Sequence, residues 1–163
     1  RWLTQHFAAQ LFQLGRLQFN LDGWHYAPQL AALAPPGNAL GIHIREMGPL
    51  DPVACDASFA AARAFFGRHF ATDGFRVAVC TSWLLDEQLS EYLPSDSNIV
   101  RFRRRFHMLP GAQPGNDDVL RFVFDERDPV ADAVPARTTL ERAVADHLRA
   151  GGEWYVRTGW VEL

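Results

Sequence analysis

The densest chemistry in the chain lies between Gly41 and Leu50, in the run Gly41-Ile42-His43-Ile44-Arg45-Glu46-Met47-Gly48-Pro49-Leu50. It reads as a strand and a glycine-containing loop, and a helix-like stretch from Val53 to Phe70 follows at once. The N-terminus of a helix presents unpaired N–H groups and a partial positive charge, which together seat phosphate well. Arg45 and Gly48 are therefore candidates for holding an anion; the alternative for Gly48 is a tight turn that needs its backbone freedom. Pro49 removes one N–H from the loop. His43 lies on the strand just before, and an imidazole with an ordinary pKa of about 6.5 suits removal of a proton from an ammonium nucleophile. The alternative for His43 is a half-buried ring hydrogen-bonded to backbone.

Further along, Cys80-Thr81-Ser82-Trp83 offers a thiol with no helix N-terminus behind it to stabilise a thiolate. Cys80 is expected as a core residue, and Ser82 and Trp83 as residues that line or cover a cleft. Arg101, Arg103, Arg105 and His107 fall on one face if this stretch is a strand, with Phe102, Arg104 and Phe106 on the other. Arg121 on a neighbouring strand would extend the basic face. Such a face can bind single-stranded nucleic acid or an anionic ligand, or it is simply solvated. Arg104, sharing a face with two phenylalanines, would need a partner such as Asp86 or Asp96. No two histidines stand four apart and no Cys-x-x-Cys occurs, so no metal is expected. No Gly-x-Ser-x-Gly is present. All 16 basic residues are arginine, which excludes a lysine Schiff base.

These residues need elements to position them. Trp2, Leu3, His6, Phe7, Gln10, Leu11 and Leu14 form a helical stripe closed by Gly15. Arg16 to Leu21 alternates as a strand and turns at Asp22-Gly23. Residues 27–38 are a proline-rich loop or wide hairpin, and Leu40 to Ile44 is a second strand. Asp51 caps a helix with Pro52 at its first position, and Phe59, Ala62, Phe65 and Phe66 give its apolar face. Phe75 to Leu85 is a buried strand, and Asp86 starts a short helix through Tyr92 that Pro94 stops. Ile99–Leu109 and Val119–Asp125 read as a hairpin. Thr138 or Thr139 caps a helix that ends at Gly151-Gly152, and Trp154 to Leu163 is a last strand. Hairpins mixed with helical connections predict an α+β domain, with a mixed, mostly antiparallel sheet flanked by helices.

With 163 residues, 48% of them hydrophobic, the chain reads as a single domain over 1–163 with a core of useful size. A net charge of −3 makes the whole molecule no general polyanion binder. Two cysteines far apart suggest reduced thiols, and a cytoplasmic location is expected. No run is long and apolar enough for a membrane helix. The helical pattern already under way at Arg1 suggests the C-terminal part of something longer.

Arg45-x-x-Gly48 between strand and helix resembles the pyrophosphate loop of the GNAT superfamily of acyl-CoA-dependent N-acyltransferases, with Leu50 where that pattern has a small residue. Gly15-Arg16-Leu17-Gln18-Phe19, His43-Ile44, Gly48-Pro49-Leu50, Cys80 to Asp86 and Ser97-Asn98-Ile99 are similar to the GNAT-like C-terminal domain of bacterial, actinobacterial-type acyltransferases. The resemblance covers nearly the whole chain. It implies a GNAT-like fold and acyl-CoA (acetyl-CoA) as co-substrate. A small-molecule amine or peptide would be the acceptor, and an N-terminal domain of the same protein a partner. His43 would be the base, Arg45 and Gly48 would hold pyrophosphate, and Asn98 would bond a pantetheine amide or form a turn. Tyr92 would protonate the leaving thiolate or simply pack. A V-shaped cleft between the strand at 40–44 and that at 75–85 would be the distinguishing feature. The rival is a non-catalytic module of the same fold that completes a site with the missing domain.

Overall fold

Asp51 and Pro52 start the longest helix as their types predict. In the computed structural model the Asp51 side chain accepts from the Ala54 N–H at 2.9 Å, and the helix α1 runs Pro52–His69. The structure describes residues 11–23, 30, 38–124 and 136–163. The other elements are strands β1 (Leu11–Leu14), β2 (Leu17–Asn20), β3 (Asn38–Ile44) and β4 (Phe75–Ser82), helices α2 (Leu89–Tyr92) and α3 (Asn98–Arg103), short strands β5 (His107–Met108) and β6 (Gln113–Pro114), helices α4 (Asn116–Phe124) and α5 (Thr139–Arg149), and strand β7 (Tyr155–Glu162).

Among the described residues the strands form one sheet in the order β1-β2-β3-β4-β7-β5, with β6 paired to β7. Only β3 and β4 are parallel, linked by the α1 crossover. This is the mixed, mostly antiparallel α+β sheet that the element order predicts. One face is packed by α1: Cys55, Phe59, Ala62 and Phe66 meet Leu17, Phe19, Leu40, Ile42, Ala78 and Cys80. Phe12 joins them, with ring centroids 5.1 Å from Phe65 and 5.4 Å from Phe66. Burial of this apolar face is the main stabilising term.

The first element differs from expectation. Residues 1–10 of the expected helix lie outside the described residues, but Leu11–Leu14 is a strand, with Phe12 and Leu14 turned toward α1. Gly15, read as a helix terminator, is the turn of the β1–β2 hairpin at φ +71°. Both roles use a positive φ, which glycine adopts without strain. Ser58 clips this turn to α1: its Oγ accepts from Arg16 N (2.8 Å) and Leu17 N (3.3 Å) and donates to the Ala54 carbonyl (2.9 Å).

The expected hairpin over 99–125 is also absent. Ser97 caps α3 by accepting from Val100 N, and Val100, Phe102 and Phe106 are buried. Val119–Phe124 belongs to α4, whose first turn carries Asp117 and Asp118 where a helix dipole favours acid. The expected basic strand face therefore does not exist. Arg103 donates to the Leu85 carbonyl and Glu87, Arg104 to the Ser95 carbonyl, and Arg105 to the Pro52 carbonyl and Asp56. Arg104 is exposed and meets neither Asp86 nor Asp96. Asp125 and most of the loop 27–38 lie outside the described residues.

Candidate active site

The parallel strands β3 and β4 part before they end. Their register runs from Asn38↔Phe75 to Ile42↔Cys80 and stops there. Yet β3 stays paired to β2 through Leu17↔Ile44, and β4 stays paired to β7 through Ser82↔Arg157. Each strand follows its outer neighbour, so the sheet splays beyond Ile42 and Cys80. His43 on β3 and Thr81 on β4 are each one residue past the last shared pair. Ile42 and Cys80 face the α1 core, so by alternation His43 and Thr81 lie on the opposite face.

His43 lies opposite Gln18 in the β2–β3 register, and Gln18 is buried. Burial pushes the His43 imidazole down to about 4. It is therefore neutral at physiological pH, with its ring nitrogen deprotonated, but burial makes it a weaker base than the ordinary imidazole expected from the sequence. Arg45, at the loop entrance, donates to Gln13 Oε1 at 3.2 Å. Gly48 takes φ +67°, and a side chain there would meet open space. Arg16 braces the loop from beneath, donating through Nε to the Pro49 carbonyl (2.9 Å) and through Nη2 to the Gly48 carbonyl (2.8 Å).

The seat at the tip of α1 is sparsely furnished. Pro52 has no N–H, Asp51 takes the N–H of Ala54, and Cys55 N bonds the Asp51 carbonyl. The Asp51 carboxylate also puts negative charge where phosphate would come. Any positive charge must come from side chains such as Arg45.

The remaining candidates follow β4. Ser82 Oγ accepts from Leu84 N at 3.1 Å and so caps the turn Trp83–Leu85. Trp83 is buried in a second cluster with Leu89, Leu93, Val100 and Trp154. Asn98 is the first residue of α3. The Tyr92 hydroxyl meets His147 Nδ1 at 3.0 Å, while His147 Nε2 meets the Glu153 carbonyl at 3.2 Å. A carbonyl only accepts, so Nε2 carries the hydrogen, Nδ1 is the acceptor, and Tyr92 donates to it. Gly152 lies against this imidazole, and a Cβ there would collide with it. Among the described residues no contact joins Tyr92 to His43.

Asp86 holds this second region together. It is fully buried and accepts from Gln88 N (3.2 Å), Gln88 Nε2 (3.0 Å) and Tyr155 N (2.7 Å). Cys80 is fully buried and its thiol is pushed up to about 12 by burial, as a core residue would be. The sequence alone gives no individual role to Arg16, Gln18 or Thr81, which stand inside motifs of the family resemblance, and does not single out His147. Thr81 Oγ1 lies 2.9 Å from Thr158 Oγ1. Their importance depends on register and on which loop passes above them, which single residue types do not reveal. A groove of about 350 Å³ lies at the other end of β4, lined in part by Phe66, Phe70, Phe75 and Leu163, away from the splay.

Comparison with known proteins gives a consistent picture. The family described as GNAT-like C-terminal domain matches residues 11–161. A crystal structure of an acyltransferase in complex with decanoyl-CoA is similar at 43% identity and a TM-score of 0.87, covering 99% of this chain and 49% of that one. One with decanoyl-CoA and teicoplanin has 43% identity, the same coverage and a TM-score of 0.86. One with CoA and 10C-teicoplanin has 43% identity, the same coverage and a TM-score of 0.84. The chain thus spans about half the length of these structures, 49% of each. No curated protein matches it.

Proposed function

We propose that this chain, which belongs to the family of GNAT-like C-terminal domains, serves acyl transfer from an acyl-CoA thioester to an amine. The observation that carries the proposal is the splay after Ile42↔Cys80, with His43 on its lip and the Arg45–Gly48 loop leading into α1. A splayed parallel pair exposes strand backbone on both sides, where an extended pantetheine arm can hydrogen-bond as a strand would.

In this reading the amine attacks the thioester carbon directly. One proton passes from the ammonium to His43 before attack; the C–N bond then forms, the C–S bond breaks, and the second proton leaves the nitrogen to water or, by way of Tyr92, to the sulfur as the adduct collapses. Arg45 and the Gly48 loop hold the pyrophosphate and Asn98 bonds a pantetheine amide, while Ser82, as a cap, and the buried Trp83 shape the end of β4 that borders the cleft. The departing thiolate takes its proton from Tyr92 or from water. The first option requires the Tyr92 hydroxyl to turn away from His147. The acceptor is a small-molecule amine or a peptide, and the preceding domain of a longer, cytoplasmic protein completes the cleft. Two of the similar structures hold decanoyl-CoA, which favours an acyl chain longer than acetyl. Among the described residues no helix is long and apolar enough to cross a membrane.

The depleted seat at Pro49 and Asp51 favours a second reading, in which this half is a scaffold and the other half supplies catalysis. Calorimetry with decanoyl-CoA and acetyl-CoA, on this chain and on the full-length protein, tests both. Binding by the chain itself, with decanoyl-CoA the tighter, is expected. No binding to either protein at millimolar ligand overturns the acyl-CoA reading. Binding and turnover by the full-length protein that survive loss of His43 favour the scaffold.

A further inference from the structure

We infer that Thr81, with Thr158 behind it, binds the attacking amine on the wall of the cleft opposite His43. This rests on the reading that His43 is the base at the splay. Thr81 and His43 occupy equivalent positions, each one residue beyond the Ile42↔Cys80 pair and on the face turned away from α1. The two side chains therefore flank the gap that opens between their strands.

Thr81 is exposed, and its hydroxyl lies 2.9 Å from that of Thr158, its register partner on β7. A hydroxyl has one hydrogen and two lone pairs. When Thr81 donates to Thr158, its own lone pairs are directed outward and can accept from an ammonium. A primary ammonium approaching the thioester has three N–H bonds. One proton goes to His43, a second N–H is held by Thr81, and the lone pair left by deprotonation points at the acyl carbon. Two fixed contacts orient a nucleophile better than one, because they remove rotation about the first.

The neighbouring hydroxyl, Ser82, cannot do this. It projects to the other face and is used in capping Leu84 N. The next row on the Thr81 face carries Val79 and Trp160, and His107 stacks on Trp160 with centroids 4.6 Å apart. Val79 is buried and Trp160 half-buried, so that row is largely covered, and the exposed Thr81 hydroxyl is the polar group that β4 offers the amine there.

The test uses full-length protein with decanoyl-CoA as donor and ethanolamine, benzylamine and a glycine-terminated peptide as acceptors. Thr81→Val keeps the shape and removes the hydroxyl. The expected result is a loss of about 10- to 100-fold in kcat/KM for the amine, the scale of one hydrogen bond to a charged group. Affinity for decanoyl-CoA and the slow hydrolysis of its thioester should stay within about twofold. Thr81→Ser should restore most of the transfer, and Thr158→Val should cost less than Thr81→Val.

Two results overturn the role of Thr81 alone: transfer by Thr81→Val within twofold of wild type while His43→Asn is inactive, or Thr81→Ser as impaired as Thr81→Val. Equal loss of amine transfer and decanoyl-CoA affinity would show a packing role and also overturn it. If wild-type protein transfers to none of the amines, the acyl-transfer reading falls first, and the role of Thr81 with it.

Discussion

His43 and Tyr92, the residues that the family resemblance pairs as base and acid, sit in opposite kinds of surroundings. His43 stands where β3 leaves its parallel neighbour, beside a gap that backbone hydrogen bonds no longer close. Tyr92 is fastened into a packed cluster, with its hydroxyl on His147 and its ring centroid 6.0 Å from Trp154. Near the splay, residues are arranged so that something else can approach. Around Asp86, Tyr92 and His147, hydrogen bonds close onto the protein itself. Changes at the splay should therefore affect activity more than stability, and changes in the second region the reverse.

The largest expected effect is at His43. Replacement by Asn should lower acyl transfer about 10²- to 10⁴-fold, the usual range for a general base, while the thermal midpoint stays close to wild type. A collapse of stability instead would erase the contrast. Asp86→Ala should do the opposite. It removes the buried acceptor of the half-buried Gln88 and Tyr155 N–H groups, at a cost of about 2–4 kcal/mol in urea unfolding, and residual activity per folded molecule should persist.

Burial of His43 also makes the fold sensitive to acid. His43 titrates near 4 when folded against an ordinary 6.5. The unfolded chain thus binds this proton more readily, and stability rises with pH between the two values and is flat above. Lowering the pH from 7 to 4.5 should cost about 2–3 kcal/mol through this group. His43→Gln should lack that share, so the gap between variant and wild type should shift in favour of the variant on acidification. A pH-independent gap would mean His43 is not held in its neutral form by burial. The smallest effect is expected from Tyr92→Phe: about 1 kcal/mol of stability from the lost His147 bond and transfer within a fewfold of wild type. A tenfold or greater loss of kcat would instead make Tyr92 the acid.

Much of the first region is legible in the chain. Asp51-Pro52 names the start of α1, and the apolar runs name β2, β3 and β4, because local capping and burial agree there. Residues 98–124 mislead for a specific reason. Phe102 and Phe106 are four apart, a spacing that fits a strand and a helix equally, and the arginines between them suit either. Ser97, Asp117 and Asp118 are the signals that decide for helices, and they are weaker than the apolar alternation. The same ambiguity turns Leu11–Leu14 from helix to strand. At the site, His43 and Gly48 are visible because strand, loop and helix are contiguous. Thr81 is not, because its placement opposite His43 exists only once β3 and β4 pair in one register and then part. Ser82 draws attention in its stead, though its hydroxyl is spent on a cap.

On the proposed mechanism His43, at the lip of the splay, takes the proton of an amine that attacks a bound acyl-CoA. Single-turnover transfer from decanoyl-CoA by the full-length protein, measured for wild type and His43→Asn at matched saturation with decanoyl-CoA, tests it most directly. Unchanged affinity for the thioester and a transfer step slowed at least about 100-fold are expected. Transfer at the wild-type rate in His43→Asn would contradict it.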